Sequence, residues 1–283
     1  MIPAAFRYIT AASAEEAATL LAEHGDEAHV LAGGQSLIPL MKLRLASPTV
    51  LIDLSGAGLA GIALDGGGAD RSVVFGAMTS YRDVARSPIV AAHVPLLARA
   101  ASLVGDPQVR NRGTIGGAVA HGDPASDVSG ALMALDATVV VQGPQGRRSI
   151  PIDDVFMGFW TTSIEPDEVL VEVRIPDAAG VGWGYEKFSI RSQDWALVAV
   201  AVAGTRVALV SMGERVVRAR STESALASGS SIRDAASVAD AATSPTSDLR
   251  GSAAYRRHLA RTLTEDALSA AERMIPPAAG SIR

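Results

Sequence analysis

The first pattern of polar and apolar positions along the chain is that of a helix. Apolar side chains recur at helical spacing between residues 13 and 25. Ser13 stands in the N-cap position, Glu16 follows three residues later as in a capping box, and Gly25 is a typical helix stop. The segment is therefore predicted to form a helix that begins after Ser13.

Two short apolar runs follow this helix and predict strands. Residues 28–32 and 49–54 are the two runs, and the segment 36–45 between them has the pattern of a short helix or turn. A strand, a helical connection and a second strand form a β-α-β unit.

The middle and the end of the chain alternate hairpins, helices and strands. Glycine-containing turns predict hairpins at 58–77 and 137–152, and the alternating run 167–176 predicts a half-buried strand. The other predicted elements are helices at 79–87, 94–105 and 125–136, consecutive antiparallel strands at 183–190, 195–204 and 206–213, and mostly helix from Ser221, ending in an amphipathic stretch at 255–274.

A change of pattern near residue 177 divides the chain into two predicted domains. We expect an α+β domain at 1–177, with subdomains at about 1–55 and 56–177, and a C-terminal domain of antiparallel strands and helices at 178–283. The length of 283 residues agrees with more than one packed unit.

Composition narrows the classes of function. Hydrophobic residues make up 48% of the chain and charged residues 19%, and the formal net charge is -5. This balance is that of a globular protein and lacks the basic face that nucleic acid requires. Because the chain has no cysteine, it can hold neither a disulfide nor a cysteine-ligated iron–sulfur cluster. Its five histidines lack the paired spacing of a metal site.

The sequence shows no targeting or membrane signal. Its first residues lack a basic segment followed by an apolar one, as a signal peptide would have. The longest apolar run, 195–204, is shorter than the about 20 residues that span a bilayer. We therefore expect a cytoplasmic protein, or one held at the inner membrane face through a complex, and we expect residues 276–283 to fray.

Two Gly-Gly turns carry the candidate binding chemistry. The first lies in VLAGGQSLIP, 30–39, and the second in NRGTIGGAVAHGDPASD, 111–127. Glycine permits positive φ and close approach of a ligand, and successive N–H groups can then form an anion-binding nest. Ser36 and Thr114 add hydroxyl donors, and a helix starting after Gly34 would add its dipole. The pattern suits a pyrophosphate held from two sides by neutral donors; two ordinary strand-to-helix turns are the alternative.

A third glycine pattern matches a dinucleotide-binding fingerprint but lacks its context. Gly56, Gly58 and Gly61 have the G-x-G-x-x-G spacing and follow a predicted strand. The fingerprint requires a long helix, yet only four residues separate the last of these glycines from the run Gly66 to Gly68. We interpret the segment as a glycine-rich loop between strands.

The segments around the Gly-Gly turns also carry a family resemblance. LAGGQSLIPLMKLRLASPTVLIDL at 31–54 and RNRGTIGGAVAHGDPASD at 110–127 closely resemble the FAD-binding medium subunit of molybdenum hydroxylases. They are most similar to the medium chain of aerobic carbon monoxide dehydrogenases and related N-heterocycle dehydrogenases. The resemblance covers nearly the whole chain, including GYEKFSIRSQDWALVAVAV at 184–202. It implies a p-cresol-methylhydroxylase-type FAD fold, with two α+β subdomains around the flavin, followed by a C-terminal antiparallel-sheet-and-helix domain.

The resemblance implies a set of residues around a noncovalently bound FAD. Two loops would hold the pyrophosphate, and Asp127 would bind a ribityl or ribose hydroxyl. Val104 corresponds to a residue that lines the cofactor, and Leu170 and Lys187 to residues near the isoalloxazine ring, whose face Trp195 would cover. The whole set is Leu31, Ala32, Gly33, Gly34, Gln35, Ser36, Leu37, Val104, Thr114, Ile115, Gly116, Gly117, Ala118, Asp127, Leu170, Lys187 and Trp195. No catalytic side chain and no metal ligand is expected.

Each isolated position in this set has a plainer interpretation. Val104, Leu170 and Trp195 could be core residues. Asp127 could be a helix N-cap, and Lys187 could be a solvated strand residue.

Three further features bear on the resemblance. His121 is the histidine within a motif, so a covalent histidyl-flavin is conceivable, but a noncovalent flavin is expected. Ala118 stands where many xanthine-dehydrogenase-type relatives have Asn, which puts one contact in doubt but not the loop. The cysteine-rich insertion of some benzoyl-CoA-reductase relatives is absent from the sequence.

The family implied by the resemblance hydroxylates its substrates at a molybdenum centre and moves the electrons through two [2Fe–2S] clusters. This chain has no cysteine to hold such clusters and little length for a molybdopterin domain. We therefore expect it to be the last relay, which takes electrons from a partner's cluster and passes them to an external acceptor. The expected partners are a small [2Fe–2S] subunit and a large molybdopterin subunit, in a dimer of heterotrimers.

Two other functions stay open at this point. A self-sufficient flavin oxidase of the same fold would need an acid–base pair over the flavin and a larger substrate domain than the residues after 177 provide. A non-catalytic nucleotide-binding module would need no redox-active cofactor.

Overall fold

The computed structural model describes residues 2–274 of the chain. Its first unit is a parallel three-stranded sheet with the strand order β1-β3-β2. The elements are β1 (Arg7–Thr10), α1 (Ala14–His24), β2 (Ala28–Leu31), α2 (Leu37–Lys42) and β3 (Val50–Asp53). The predicted β-α-β unit is confirmed, because α2 connects the neighbouring parallel strands β2 and β3.

Helix α1 begins as its sequence predicts. The Ser13 side chain accepts a hydrogen bond from the N–H of Glu16 at 3.1 Å, and the Glu16 carboxylate accepts one from the N–H of Ala12 at 2.7 Å. Gly25 ends the helix with a φ of 52°. The buried face of α1, which includes Leu21, packs with Ile52 of β3 in a small hydrophobic core.

The second unit is a five-stranded antiparallel sheet with the order β4-β5-β10-β6-β7 and helices that cover it. Both predicted hairpins are confirmed as the pairs β4–β5 and β6–β7. Its elements are β4 (Ile62–Asp65), β5 (Ser72–Gly76), α3 (Tyr81–Arg86), α4 (Pro88–His93), α5 (Pro95–Ser102), α6 (Pro107–Arg112), α7 (Ile115–His121), α8 (Asp127–Ala134), β6 (Thr138–Gly143), β7 (Gly146–Pro151), α9 (Ile152–Val155), β8 (Phe156–Gly158), β9 (Thr161–Thr162) and β10 (Val169–Pro176).

Several short helices of this unit were not predicted from the pattern. Helix α4 has Ser87 as N-cap and Pro88 in its first turn, and α6 has Asp106 and Pro107 in the corresponding positions. Six residues are too few for a helical period to stand out in the sequence, so the capping residues are the available signal.

The third unit is an antiparallel four-stranded sheet with the order β11-β12-β13-β14, followed by helices. The three consecutive antiparallel strands predicted for this region are confirmed, although β12 starts three residues later than the pattern suggests. The elements are β11 (Trp183–Phe188), β12 (Val198–Ala203), β13 (Arg206–Val210), β14 (Val217–Arg218), α10 (Arg220–Ala227), α11 (Ile232–Ser237) and α12 (Ala253–Met274).

Helix α8 joins the second and third units. Every residue of α8 is buried, and the main hydrophobic core contains Val128 and Leu132 of this helix together with Ala199 and Val210 of the third sheet. A Cβ on Gly130 would lie 2.4 Å from a side-chain methyl of Val210, so glycine permits the close approach of helix and sheet. The core therefore continues across the predicted domain boundary.

Two further results concern residues 2–274 as a whole. No helix in this range is long and apolar enough to cross a membrane. No group of three or more His, Asp or Glu side chains in the same range is arranged to hold a metal ion. The fraying predicted for 276–283 concerns residues outside the described range.

Candidate functional site

A cavity of about 460 Å³ is lined by both Gly-Gly segments. The carboxyl end of β2 leads into the first segment, and the second segment opens α7. The lining residues are His29, Val30, Ala32, Gly33, Gly34, Gln35, Ser36, Leu37, Leu40, Ala46, Tyr81, Gly113, Thr114, Gly117, Ala118, Ala120, His121, Asp123, Ser126, Trp160 and Trp195.

At Gly33 the backbone of the first segment touches Arg112 and Gly113, the two residues directly before 114–118. A Cβ on Gly33 would lie 2.1 Å from the carbonyl oxygen of Arg112 and 2.9 Å from the Cα of Gly113. Contacts this short cannot be relieved by rotating a side chain, because backbone atoms form them. Only glycine at position 33 therefore permits the two walls of the cavity to meet.

The first segment, residues 33–37, leaves its backbone donors unpaired. None of the N–H groups of these five residues donates to a backbone carbonyl of the described chain. Gly34 has a φ of 71°, in the left-handed region that glycine adopts without strain. The Ser36 hydroxyl makes no capping hydrogen bond to α2, so it too is available to a ligand. The geometry of this segment is consistent with the predicted nest of N–H groups.

The second segment, residues 114–118, uses the N–H groups of its last four residues inside the protein. The N–H groups of Ile115 and Gly116 donate to the carbonyls of Thr79 and Ala77, at 3.0 and 2.9 Å. The N–H of Gly117 donates to the side-chain oxygen of Thr114 at 3.1 Å. The N–H of Ala118 donates to the carbonyl of Thr114 at 3.0 Å.

The prediction of an N–H nest in this second segment is therefore wrong. The expectation of positive φ also fails at three of the four glycines, because only Gly34 has it and the second pair begins the α-helix α7. Gly116 is needed for packing instead: a Cβ there would lie 2.6 Å from that of Ala77. What the segment offers a ligand is the Thr114 hydroxyl hydrogen, since its oxygen already accepts from Gly117.

The residues of the cavity wall agree with the binding of an anion by neutral donors. The lining residues include no lysine or arginine, and Asp123 is the single residue among them with a carboxylate side chain. The Asp123 side chain accepts a hydrogen bond from the N–H of Ala125 at 2.8 Å. An anion in this cavity would depend on backbone N–H groups and hydroxyls rather than on an ion pair.

Ten of the predicted site residues line the cavity and seven do not. The ten are Ala32, Gly33, Gly34, Gln35, Ser36, Leu37, Thr114, Gly117, Ala118 and Trp195. The other seven are Leu31, Val104, Ile115, Gly116, Asp127, Leu170 and Lys187, for which contact with a cofactor stays a prediction. Ile115 and Leu170 are buried in the main core, and Val104 packs against it. Trp195 is 49% exposed, so its interpretation as a core residue is wrong.

Asp127 and Lys187 contact each other rather than the cavity. The Lys187 ammonium lies 2.7 Å from one Asp127 carboxylate oxygen, and the Tyr185 hydroxyl donates to the other at 2.5 Å. Burial raises the pKa of the Asp127 carboxyl, while Lys187 and Tyr185 oppose that rise. The Lys187 side chain is only 7% exposed, so it is not a solvated strand residue. Ser126, not Asp127, caps α8, since its hydroxyl accepts from the N–H of Ser129.

Sequence reasoning missed several residues of the cavity wall. Tyr81 begins α3 and lies behind Gly113, where a Cβ would come within 2.5 Å of the tyrosine ring. Burial raises the pKa of the Tyr81 phenol, and the Asp127 and Asp123 charges add to this. The Tyr81 hydroxyl therefore keeps its proton and can donate a hydrogen bond. Asp123 lies inside the quoted HGDPASD motif and could have been singled out, whereas nothing in the sequence marks Tyr81.

Trp160 was also missed, and it reaches the cavity from the turn between β8 and β9. Its φ is 53°, which is rare for an aromatic residue, and its ring stacks on His121 with centroids 5.8 Å apart. The Phe159 ring also stacks on Trp160, with the centroids 4.6 Å apart. Burial lowers the pKa of the His121 imidazole. The contact joins residues 39 positions apart, so no local pattern could indicate it.

Comparison with known protein families gives two matches that together cover most of the chain. Residues 4–178 match the model of the FAD binding domain in molybdopterin dehydrogenase. Residues 183–271 match the model of the CO dehydrogenase flavoprotein C-terminal domain.

Similar curated proteins and solved structures agree with these matches. The carbon monoxide dehydrogenase medium chain of Hydrogenophaga pseudoflava is 43% identical over 96% of this chain and 98% of its own. The nicotine 6-hydroxylase medium subunit of Paenarthrobacter nicotinovorans is 40% identical over 92% of this chain and 94% of its own. A chain of the Hydrogenophaga pseudoflava carbon monoxide dehydrogenase structure that lacks the Mo-pyranopterin moiety superposes with a TM-score of 0.93 at 44% identity, covering 98% of this chain and 100% of that one. Quinoline 2-oxidoreductase from Pseudomonas putida 86 gives a TM-score of 0.89 at 33% identity, with 98% and 100% covered.

Proposed function

Because the chain belongs to the family of FAD-binding medium subunits of molybdenum hydroxylases, we propose that it passes electrons from a partner's [2Fe–2S] clusters to an external acceptor. The chain is an oxidoreductase subunit with an FAD-binding domain. When bound, FAD supplies the ability to accept and release electrons. The protein's own part is to hold the cofactor, orient its ring and limit its contact with water.

The observation that carries the cofactor assignment is the row of unpaired N–H groups at 33–37 on the cavity wall. Five amides and the Ser36 hydroxyl supply neutral donors of the kind that a pyrophosphate accepts. Thr114 faces the same cavity from the second segment and adds a hydroxyl donor. The close contact at Gly33 leaves no room for a side chain between the walls. The residues present therefore fit an FAD pyrophosphate.

We assign Trp195 to the isoalloxazine ring and four further predicted residues to the support of the cavity wall. Trp195 lines the cavity and is available to cover a face of the isoalloxazine ring, as the family resemblance implies. Ile115, Gly116, Val104 and Leu170 support the wall from the hydrophobic core. The division into an FAD-binding domain at 1–177 and a C-terminal domain at 178–283 is part of this proposal.

The partners follow from what this chain lacks. Its sequence contains no cysteine, so the clusters that feed electrons to it belong to another chain. We propose a small [2Fe–2S] subunit and a large molybdopterin subunit, assembled as a dimer of heterotrimers. The names of the relatives, medium chain and medium subunit, support a multisubunit complex. The cytoplasmic location expected from the sequence stays a prediction.

The first experiment identifies the cofactor. The purified chain is denatured with acid, and the released flavin is identified by chromatography. We expect one FAD per chain, because the cavity is suited to a pyrophosphate. Release of FMN, or no flavin after reconstitution with FAD, would contradict the assignment.

The second experiment separates the relay from a self-sufficient flavin oxidase. The isolated, FAD-loaded chain is assayed with a dye acceptor against CO, aldehydes and N-heterocycles, and proteins that co-purify with it are identified by mass spectrometry. We expect at most dye reduction from an artificial donor, and co-purification with a cluster-binding and a molybdopterin-binding subunit. Substrate-dependent turnover without any partner would favour the oxidase.

A further inference from the structure

A buried polar cluster joins the C-terminal sheet to the wall of the cavity. Tyr185 and Lys187 project from β11, and both bind the carboxylate of Asp127, the first residue of α8. The Lys187 ammonium also donates to the carbonyl of Leu103 at 3.3 Å. Tyr185 and Asp127 are 5% and 3% exposed, so the cluster is shielded from water.

Asp127 is placed where its orientation affects the cavity. It directly follows Ser126 and lies four residues after Asp123, and both of these line the cavity. The carbonyl that Lys187 binds belongs to Leu103, next to Val104. The cluster therefore fixes two stretches of backbone, 123–127 and 103–104, relative to β11.

The Tyr185 hydroxyl is the part of the cluster that fixes the carboxylate. With Lys187 alone on one oxygen, the carboxylate could rotate about its Cβ–Cγ bond and the flexible lysine could follow. A second donor on the other oxygen restricts that rotation. A buried carboxylate that loses a donor must find another partner, so nearby groups would be drawn from their positions.

We propose that Tyr185 is a positioning residue for FAD, which holds Asp127 and Lys187, and through them the cavity wall, in the arrangement that binds the cofactor. This inference rests on the proposed FAD site. Preformed binding sites avoid the loss of affinity that comes from ordering side chains during association. Tyr185 acts from 58 residues away in sequence and need not touch the cofactor itself.

The test uses the full chain, prepared without flavin and titrated with FAD. Tyr185→Phe removes the hydroxyl and keeps the ring that packs in the core. Loss of a hydrogen bond to a charged group predicts about a ten-fold weaker FAD affinity. The absorption spectrum of bound FAD should also shift, because the surroundings of the isoalloxazine ring would change. Tyr255→Phe, which removes a hydroxyl from a 41% exposed ring, is the matched control and should change neither quantity.

A double-mutant cycle shows whether Tyr185 acts through Asp127. Asp127→Ala and the double variant with Tyr185→Phe are titrated in the same way. We expect the double variant to bind FAD about as weakly as Asp127→Ala alone, because Asp127→Ala already removes the oxygen that accepts from the Tyr185 hydroxyl. Additive losses, or an unchanged affinity and spectrum in Tyr185→Phe despite a lower melting temperature, would overturn the inference. If the wild-type chain itself bound no FAD, the proposed function would fail instead.

Discussion

The two Gly-Gly segments share a sequence signature but use their backbone in opposite ways. In the first, the N–H groups of 33–37 have no backbone acceptor in the described chain, and Gly34 is left-handed. In the second, each N–H from Ile115 to Ala118 is already paired within the protein, and the backbone is helical. The first segment is therefore built to offer donors, and the second to form a wall against which the first can close.

The difference shows that a glycine pair can serve three separate purposes. Gly33 permits contact between two backbones, Gly34 permits a left-handed turn, and Gly116 permits a helix to pack on Ala77. Only the second purpose concerns φ. The same dipeptide in a sequence consequently indicates a tight site, but it does not tell whether donors are free there.

The largest effect is expected where the segments touch. Gly33→Ala would place a Cβ 2.1 Å from the carbonyl oxygen of Arg112, so the two walls must separate. We expect the purified variant to contain no retained FAD, as measured by the flavin absorbance per chain. Gly67→Ala is the matched control, because a Cβ at Gly67 meets nothing within 4 Å and its φ is -154°. Normal FAD content in Gly33→Ala would show that the walls need not meet.

A second change tests whether the second segment is a wall. Gly116→Ala would bring a Cβ to 2.6 Å from the Cβ and 2.8 Å from the carbonyl oxygen of Ala77. Overpacking of this kind lowers the free energy of unfolding by about 1–3 kcal/mol. We expect a lower melting temperature of the flavin-free chain in thermal denaturation.

Gly117→Ala provides the comparison for that experiment. Its nearest neighbour is the Thr114 side-chain oxygen at 2.7 Å. Rotation of Thr114 would relieve this contact at the cost of the N-cap hydrogen bond to Gly117, about 1 kcal/mol, so a smaller loss of stability is expected. Equal melting temperatures for the two variants would contradict the role of Gly116 in packing.

Much of the fold could be predicted from the sequence because its signals are local. The capping box of α1, the β-α-β order and both hairpins depend on residues within a few positions of each other. The two segments of the site were also found locally, through Gly33, Gly34 and Thr114. The family resemblance added the cofactor.

What could not be predicted depends on partners far away in sequence. The carbonyls that accept hydrogen bonds from the N–H groups of Ile115 and Gly116 belong to residues 36 and 39 positions earlier. Trp160, in a separate hairpin, stacks on His121. Lys187 donates a hydrogen bond to Asp127 across the predicted domain boundary. Sequence spacing carries no information on such pairs, because the packing and hydrogen bonding of the folded chain decide them.

An intermediate effect is expected at the N-cap of α7. Thr114→Val removes the oxygen that accepts from the N–H of Gly117, and loss of an N-cap lowers the free energy of unfolding by about 1 kcal/mol. FAD affinity should fall as well, since the same hydroxyl offers its hydrogen to the cavity. Thr114→Ser keeps the oxygen, so its free energy of unfolding and its FAD affinity should be close to those of the wild type. A Thr114→Val chain that unfolds like the wild type would mean that the cap does not stabilise the segment.

The smallest effect, and the sharpest contrast with Thr114, is expected at Ser36. Its hydroxyl makes no capping hydrogen bond to α2, so Ser36→Ala should leave the melting temperature of the flavin-free chain unchanged. The same hydroxyl lines the cavity, and loss of one neutral hydrogen bond of about 0.5–1.5 kcal/mol predicts a few-fold to about ten-fold weaker FAD affinity. Titration of the flavin-free chain with FAD measures the affinity, and thermal denaturation of the same sample measures the stability. A change in affinity without a change in stability places Ser36 among the donors of the first segment, whereas a loss of stability alone would give it the structural role that Thr114 has in the second.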